Sequence, residues 1–153
     1  MSFGGHPTAI ITLPIANDGF WPDLDVAEFQ RTYRVPAEYL EELLVEGISL
    51  AMGEVNLDLA KRKAAWQAVG IDQVEQADPM LLPERSFFAS SYKRAVYCRA
   101  KAYLLPQFAT IVRRDSAQNL AKESPDSVGQ LLSFSQQAVR VIQGRSRITA
   151  ECL

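Results

Sequence analysis

The 153-residue chain has one histidine, His6, and two cysteines, Cys98 and Cys152. That scarcity excludes most metal chemistry, because a zinc site needs four clustered N, S or O ligands. It also leaves little for nucleophilic catalysis. His6 sits in Gly4-Gly5-His6-Pro7, where nothing holds a base within reach of its target, so a solvated histidine is expected. Cys98, in Tyr97-Cys98-Arg99, lacks a histidine partner; Arg99 could lower its pKa, but a core or half-buried thiol is the better account. Asp23 and Asp25 are close together, yet at a helix start, where acids favour the dipole. Neither a P-loop nor a dinucleotide fingerprint is present. No catalytic residue, metal or cofactor is expected, and the chain is not expected to be an enzyme.

Long apolar runs are also missing. Nothing approaches the ~20 residues that span a bilayer. Ala9-Ile10-Ile11 is broken by Thr12 and closed by Pro14, without a basic flank, so neither a membrane contact nor a signal peptide is expected. With so few cysteines, a reducing compartment is expected, and a Cys98–Cys152 disulfide is not. A chain of this length buries roughly 68–70% of its unfolded surface and needs no covalent staple.

What is present is helical periodicity. Residues 1–22 read as a flexible N-terminal arm, with Gly4-Gly5, Pro7, Pro14 and Asn17-Asp18-Gly19 as breakers and Thr8–Leu13 as a short strand if an edge is offered. Phe20-Trp21-Pro22 puts two large aromatics where regular structure begins. A helical domain follows over 23–144. Asp25 is the expected N-cap of a first helix, with Glu28 as its capping-box partner and Val26, Phe29 and Tyr33 on one face. Pro36 separates this helix from a second and suits the latter's start. Leu40, Leu43, Leu44, Ile48, Ala51, Met52, Val55 and Leu59 then form one stripe. Gly47 near that stripe allows close approach of another helix. This second helix is expected to run to Trp66–Val69, with Gly70 as its stop. Residues 71–85 form a connector with one helical turn at 72–76. A third helix is expected from Ser86 to Leu105, with Phe88, Tyr92, Ala95, Val96, Ala102 and Leu105 as its stripe, Lys93, Arg94, Arg99 and Lys101 off it, and Pro106 disturbing its end. A last helix, over 108–142, should kink or break at Ser124-Pro125. Gly144 closes it, and 145–153 form a C-terminal tail in which Ile148 and Thr149 are strand-like. The fold class is all-α: an antiparallel bundle of about four helices with an extended arm and a tail.

Charge is unevenly placed. Residues 1–58 carry two basic and ten acidic side chains, and residues 59–153 carry fourteen basic and eight acidic. Acidic and basic helices that neighbour each other within one monomer account for this simply. The alternative is that one half of a molecule meets the other half of its neighbour. Lys61-Arg62-Lys63, Lys93-Arg94 and Arg113-Arg114, with Tyr92, Tyr97 and Tyr103 between them, raise nucleic-acid binding as a rival. A sequence pI near 5.4 and tyrosines on the core stripe argue against a dedicated binder.

The run Asp18-Gly-Phe-Trp-Pro-Asp-Leu-Asp25, followed by Phe29 and Tyr33-Arg34-Val35, resembles the opening of the phage head completion (GPL) family. Glu54-Val55-Asn56 with Leu59, Tyr92-Lys-Arg-Ala-Val-Tyr97 with Ala100-Lys-Ala102, and Gly144-Arg-Ser-Arg147 resemble its later motifs, in order, from about residue 18 to the end. Ser124-Pro125 is a departure, in a region where plain helix is expected. The resemblance implies a virion protein of the head–tail neck, built like a connector adaptor and assembled in the host cytoplasm. It implies docking on the portal protein as a ring of about twelve copies, whose head-to-tail contacts join one face of each subunit to a different face of the next. Such a ring closes the DNA-filled head, offers a surface to neck and tail proteins, and touches packaged DNA at most non-specifically. On that footing the candidate partner-binding residues are Phe20 and Trp21, the acids Glu41, Glu42 and Glu46, the bases Lys93, Arg94, Arg113 and Arg114, and Arg145 and Arg147. The last two either grip portal carboxylates bidentately or cap the preceding helix. The competing readings are a cytoplasmic helical adaptor unrelated to phage and, more remotely, a small enzyme.

Overall fold

The computed structural model describes residues 12–78, 86–111 and 124–145. Among these, two short strands, β1 (Pro14–Ile15) and β2 (Leu24–Asp25), precede five α-helices: α1 (Val26–Thr32), α2 (Glu41–Asp58), α3 (Ala60–Ala68), α4 (Phe87–Ile111) and α5 (Ser124–Ile142). A 3-10 turn, Val74–Ala77, lies between α3 and α4. The fold is all-α apart from the small sheet.

α4 is the centre. Its six consecutive residues Ala95 to Ala100 are all buried. No amphipathic helix buries six in a row, since one face covers only about half the positions; this pattern belongs to a helix enclosed on several sides. α5 packs along one side of α4 and α2 along another. α2 runs antiparallel to α4: Gly47 meets Leu104, Glu54 meets Arg99, and Asn56 meets Tyr92. A Cβ on Gly47 would lie 3.1 Å from the Leu104 side chain, so this glycine sets the close helix approach.

Several boundaries differ from those expected. The second helix is two, because Leu59 leaves the helical ladder with φ −100° and ψ 3°. The backbone bonds Leu59 N–H to Val55 O and Lys63 N–H to Leu59 O persist on either side, so the break is a one-residue kink. It turns α3 so that Trp66 joins an aromatic cluster with Phe20, Trp21 and Phe88. α2 begins at Glu41, not at Pro36, and its cap residue Leu40 makes no side-chain cap bond. α4 continues through Pro106 to Ile111. Pro106 faces outward, and beyond it Phe108 is buried and stacked on Tyr39 with ring centroids 3.5 Å apart, which holds the extra turn against the lost backbone bond. The last helix does not begin at 108, because residues 108–111 belong to α4; Pro125 sits in the first turn of α5, where proline is tolerated, and residues 112–123 lie outside the described residues. Gly70 and Gly144 end their helices with positive φ.

Residues 12–22, expected within the flexible arm, pack onto the core. β1 pairs antiparallel with β2, Pro14 opposite Asp25 and Ile15 opposite Leu24. Val26 N–H donates to Leu13 O, and Val74 N–H donates to Phe20 O, clamping the loop between. The expected strand at Thr8–Leu13 falls mostly outside the described residues, as do His6, Cys152, Ile148 and Thr149.

Candidate interaction surface

The motif residues converge on the interior. Asn17, Asn56 and Tyr92 form a closed ring of hydrogen bonds: Asn17 Nδ2 donates to Tyr92 Oη at 2.8 Å, Tyr92 Oη to Asn56 Oδ1 at 2.5 Å, and Asn56 Nδ2 to Asn17 Oδ1 at 3.0 Å. Trp21 stacks on the Tyr92 ring at 4.8 Å and 6°. Asp18 accepts from the backbone N–H groups of Phe20 and Trp21 and from Lys63 Nζ at 2.7 Å. Partial burial opposes its ionisation, but the Lys63 bond and the two N–H donors outweigh that and hold its carboxyl below the ordinary carboxylate range.

One helical turn on, Asp25 caps α1 as expected, accepting from the N–H groups of Ala27 and Glu28. Glu28 does not complete the capping box. Tyr97 Oη takes that place, accepting from Asp25 N–H at 3.0 Å. Glu28 instead accepts from Tyr97 Oη at 2.8 Å and from Lys93 Nζ at 3.1 Å. Burial drives the Tyr92 and Tyr97 phenols well above their ordinary pKa, so both stay neutral hydrogen-bonding groups.

Arg99, expected on a solvated face, is only 8% exposed. Its Nε donates to Ser135 Oγ at 3.1 Å, and its two terminal nitrogens reach Glu54 at 3.3 Å and Asp58 at 3.0 Å. Ser135 in turn donates to Ala95 O at 2.7 Å. The sequence carried one hint of this: a serine on the otherwise apolar stripe of α5 needs a partner once buried. Cys98 is buried, and burial raises its thiol pKa, which makes it an inert core thiol.

The proposed partner residues are placed differently. Phe20 and Trp21, 3% and 2% exposed, are core and present nothing to a partner; two large aromatics beside a break read equally well as an anchor turned inward. Glu41, Glu42 and Glu46 are exposed on α2 and make no ion pair among the described residues. Lys93 is spoken for by Glu28, whereas Arg94 is exposed, with its guanidinium 4.9 Å from the Phe134 ring centre. Arg145 is exposed and lines an open cleft of about 430 Å³ with Leu57, Asp58, Lys61 and Arg62. Arg113, Arg114 and Arg147 lie outside the described residues. The end of α5 is capped from α3: Arg62 Nε donates to Ile142 O at 3.1 Å, with its guanidinium 4.5 Å from the Trp66 ring centre. Among the described residues, no group of three or more His, Cys, Asp or Glu is placed to hold a metal, and no helix is long and apolar enough to cross a membrane.

Tyr92, Tyr97 and Cys98, whose pKa values are raised by burial, thus belong to the packed interior. The family model for phage head completion proteins (GPL) matches residues 15–153. The chain belongs to that family. A relative from Haemophilus phage HP1, named "Probable head completion/stabilization protein", is 32% identical over 145 residues, covering 95% of each chain. No solved structure matches. Glu54, Asn56, Tyr92 and Tyr97, all within the matched range, help tie the loop before α1, α2 and α4 together.

Proposed function

We propose that this protein is a structural subunit of the virion that completes the phage head, docking on the portal as a ring and offering the surface to which neck and tail proteins attach. The family match over residues 15–153 carries this reading. In support, the polar network that joins Asn17, Asn56 and Tyr92 is internal, and much of the described exterior is helix surface. Rings use heterologous contacts, one face of each subunit on a different face of the next. The exposed acids of α2 and the exposed Arg94 and Arg145 suit such contacts, with the charges setting register and specificity more than affinity. Host cytoplasm is the place of assembly, and contact with packaged DNA is at most non-specific.

The test is a phage in which this gene is interrupted. Packaged heads that fail to join tails, with infectivity restored by supplying the protein, are the expected outcome. Infectious particles that lack the protein would refute the assignment. Removing residues 146–153 should leave a folded chain that no longer joins heads, and normal assembly by that truncation would remove the tail from the docking surface.

A further inference from the structure

α2 carries an exposed stripe that no packing among the described residues explains. Leu50 and Leu57, one heptad apart, are 59% and 77% exposed. Gly53 lies between them on the same outer face, and a Cβ there would meet nothing within 4 Å. Glycine weakens a helix interior, and Gly53 neither has positive φ nor touches another helix. A small residue flanked by two exposed leucines is what a helix needs if another backbone is to come close from outside.

A second stripe lies on α5. Phe134 and Val141, again one heptad apart, are 37% and 41% exposed. Arg94 of α4 covers part of Phe134. Arg94 precedes Arg99 by five residues, about 140° round the helix, and Arg99 faces Glu54 and Asp58 of α2. Arg99 also bonds Ser135 of α5, and Gln143, two residues after Val141 and about 200° round from it, donates to Asp58 O of α2, so the α5 stripe looks away from α2.

Charge decides how they pair. α2 holds five carboxylates, Glu41, Glu42, Glu46, Glu54 and Asp58, and no base. α5 itself balances Asp126 with Arg140, and an exposed base beside its stripe is Arg94, which lies over Phe134. Pairing α2 with a second α2 would set like charges against each other, whereas pairing it with the α5 stripe sets its acids near the exposed Arg94 beside an apolar seam.

Resting on the reading that copies of this chain assemble, we propose that Leu50, Gly53 and Leu57 of one copy pack against Phe134 and Val141 of a second copy. The contact is heterologous and repeats around a ring.

Two variants at exposed positions test it, Leu57→Lys and Val141→Glu. Each alone should stay folded by circular dichroism and lose self-association at least ten-fold, in solution and on portal-bearing heads. Mixed, the Leu57→Lys copy keeps its α5 face and the Val141→Glu copy its α2 face. They should form one-to-one dimers and nothing larger by native mass spectrometry. Wild-type association by either variant alone overturns the pairing, as does a wild type that stays monomeric both at millimolar concentration and on heads. The two readings fail separately. Portal rings that form normally from both variants sink the pairing and leave the proposed function standing. Self-association through these faces without any portal binding does the reverse.

Discussion

Arg99 and Ser135 meet inside the protein at 3.1 Å, the one charged and the other polar, both buried where α2, α4 and α5 come together. Ser135 bonds Arg99 Nε and Ala95 O at once; Ala95 O keeps its helical bond without it, but Arg99 Nε is stranded. Glu54 and Asp58, by contrast, have side chains 46% exposed and stay hydrated without their partner.

Ser135→Ala should therefore destabilise by about 1–3 kcal/mol, the cost of an unpaired buried group. Arg99→Met, which removes the charge and keeps much of the volume, should cost less. Urea unfolding of both variants checks the order. Arg99→Met as the more damaging change would mean that the ion pairs, rather than the serine bond, hold the three helices.

Tyr92→Phe and Tyr97→Phe test the clamp on the loop before α1. Each should cost about 1–3 kcal/mol. The loss should concentrate where the loop is fastened: faster amide exchange at Val26 and Val74, whose N–H groups bond Leu13 O and Phe20 O, with the centre of α4 less affected. Uniform acceleration along the chain would contradict a local clamp.

Asp18 supplies a pH dependence with a defined sign. Its folded pKa lies below its ordinary value, so the unfolded chain binds the proton more readily. Its contribution is full above the unfolded pKa of about 3.9 and disappears as pH falls through the folded value. Stability measured from pH 5 down to pH 2 should fall less steeply in Asp18→Asn than in wild type. Identical slopes would show that the Lys63 bond at 2.7 Å is not felt in solution.

The two α2 glycines should respond oppositely. Gly53→Ala faces open space and should stabilise the free subunit by about 0.5–1 kcal/mol while weakening its contact with a second copy. Gly47→Ala would press on Leu104 at 3.1 Å and should destabilise the free subunit. Thermal unfolding of both variants reads the difference directly.

The helices were legible in the sequence because their stripes are periodic. Leu44, Ile48, Ala51, Val55 and Leu59 were read as core and are core. What escaped was set by tertiary contacts that no period encodes. Arg99 looked like surface because its position lies off the apolar stripe, and only partners distant in sequence, Glu54, Asp58 and Ser135, make its burial tolerable. Phe20 and Trp21 looked like an exposed anchor because they follow a run of breakers, yet Trp66 and Tyr92, distant in sequence, take both rings inward. Pro106 looked like a stop because its backbone cost is local, whereas the Tyr39–Phe108 stack that carries the helix past it is not. On the surface, Glu41, Glu42, Glu46 and Arg94 are exposed, whereas Leu50, Leu57, Phe134 and Val141 drew no notice, because apolar residues at helical spacing usually face a core and only the structure shows these four exposed.

Electron microscopy of the protein mixed with its cognate portal tests the central claim most directly. The account predicts a closed ring of this subunit seated on the portal, with contacts between copies that weaken as salt rises. A portal that remains bare at saturating protein, or subunits bound singly without touching one another, would contradict it.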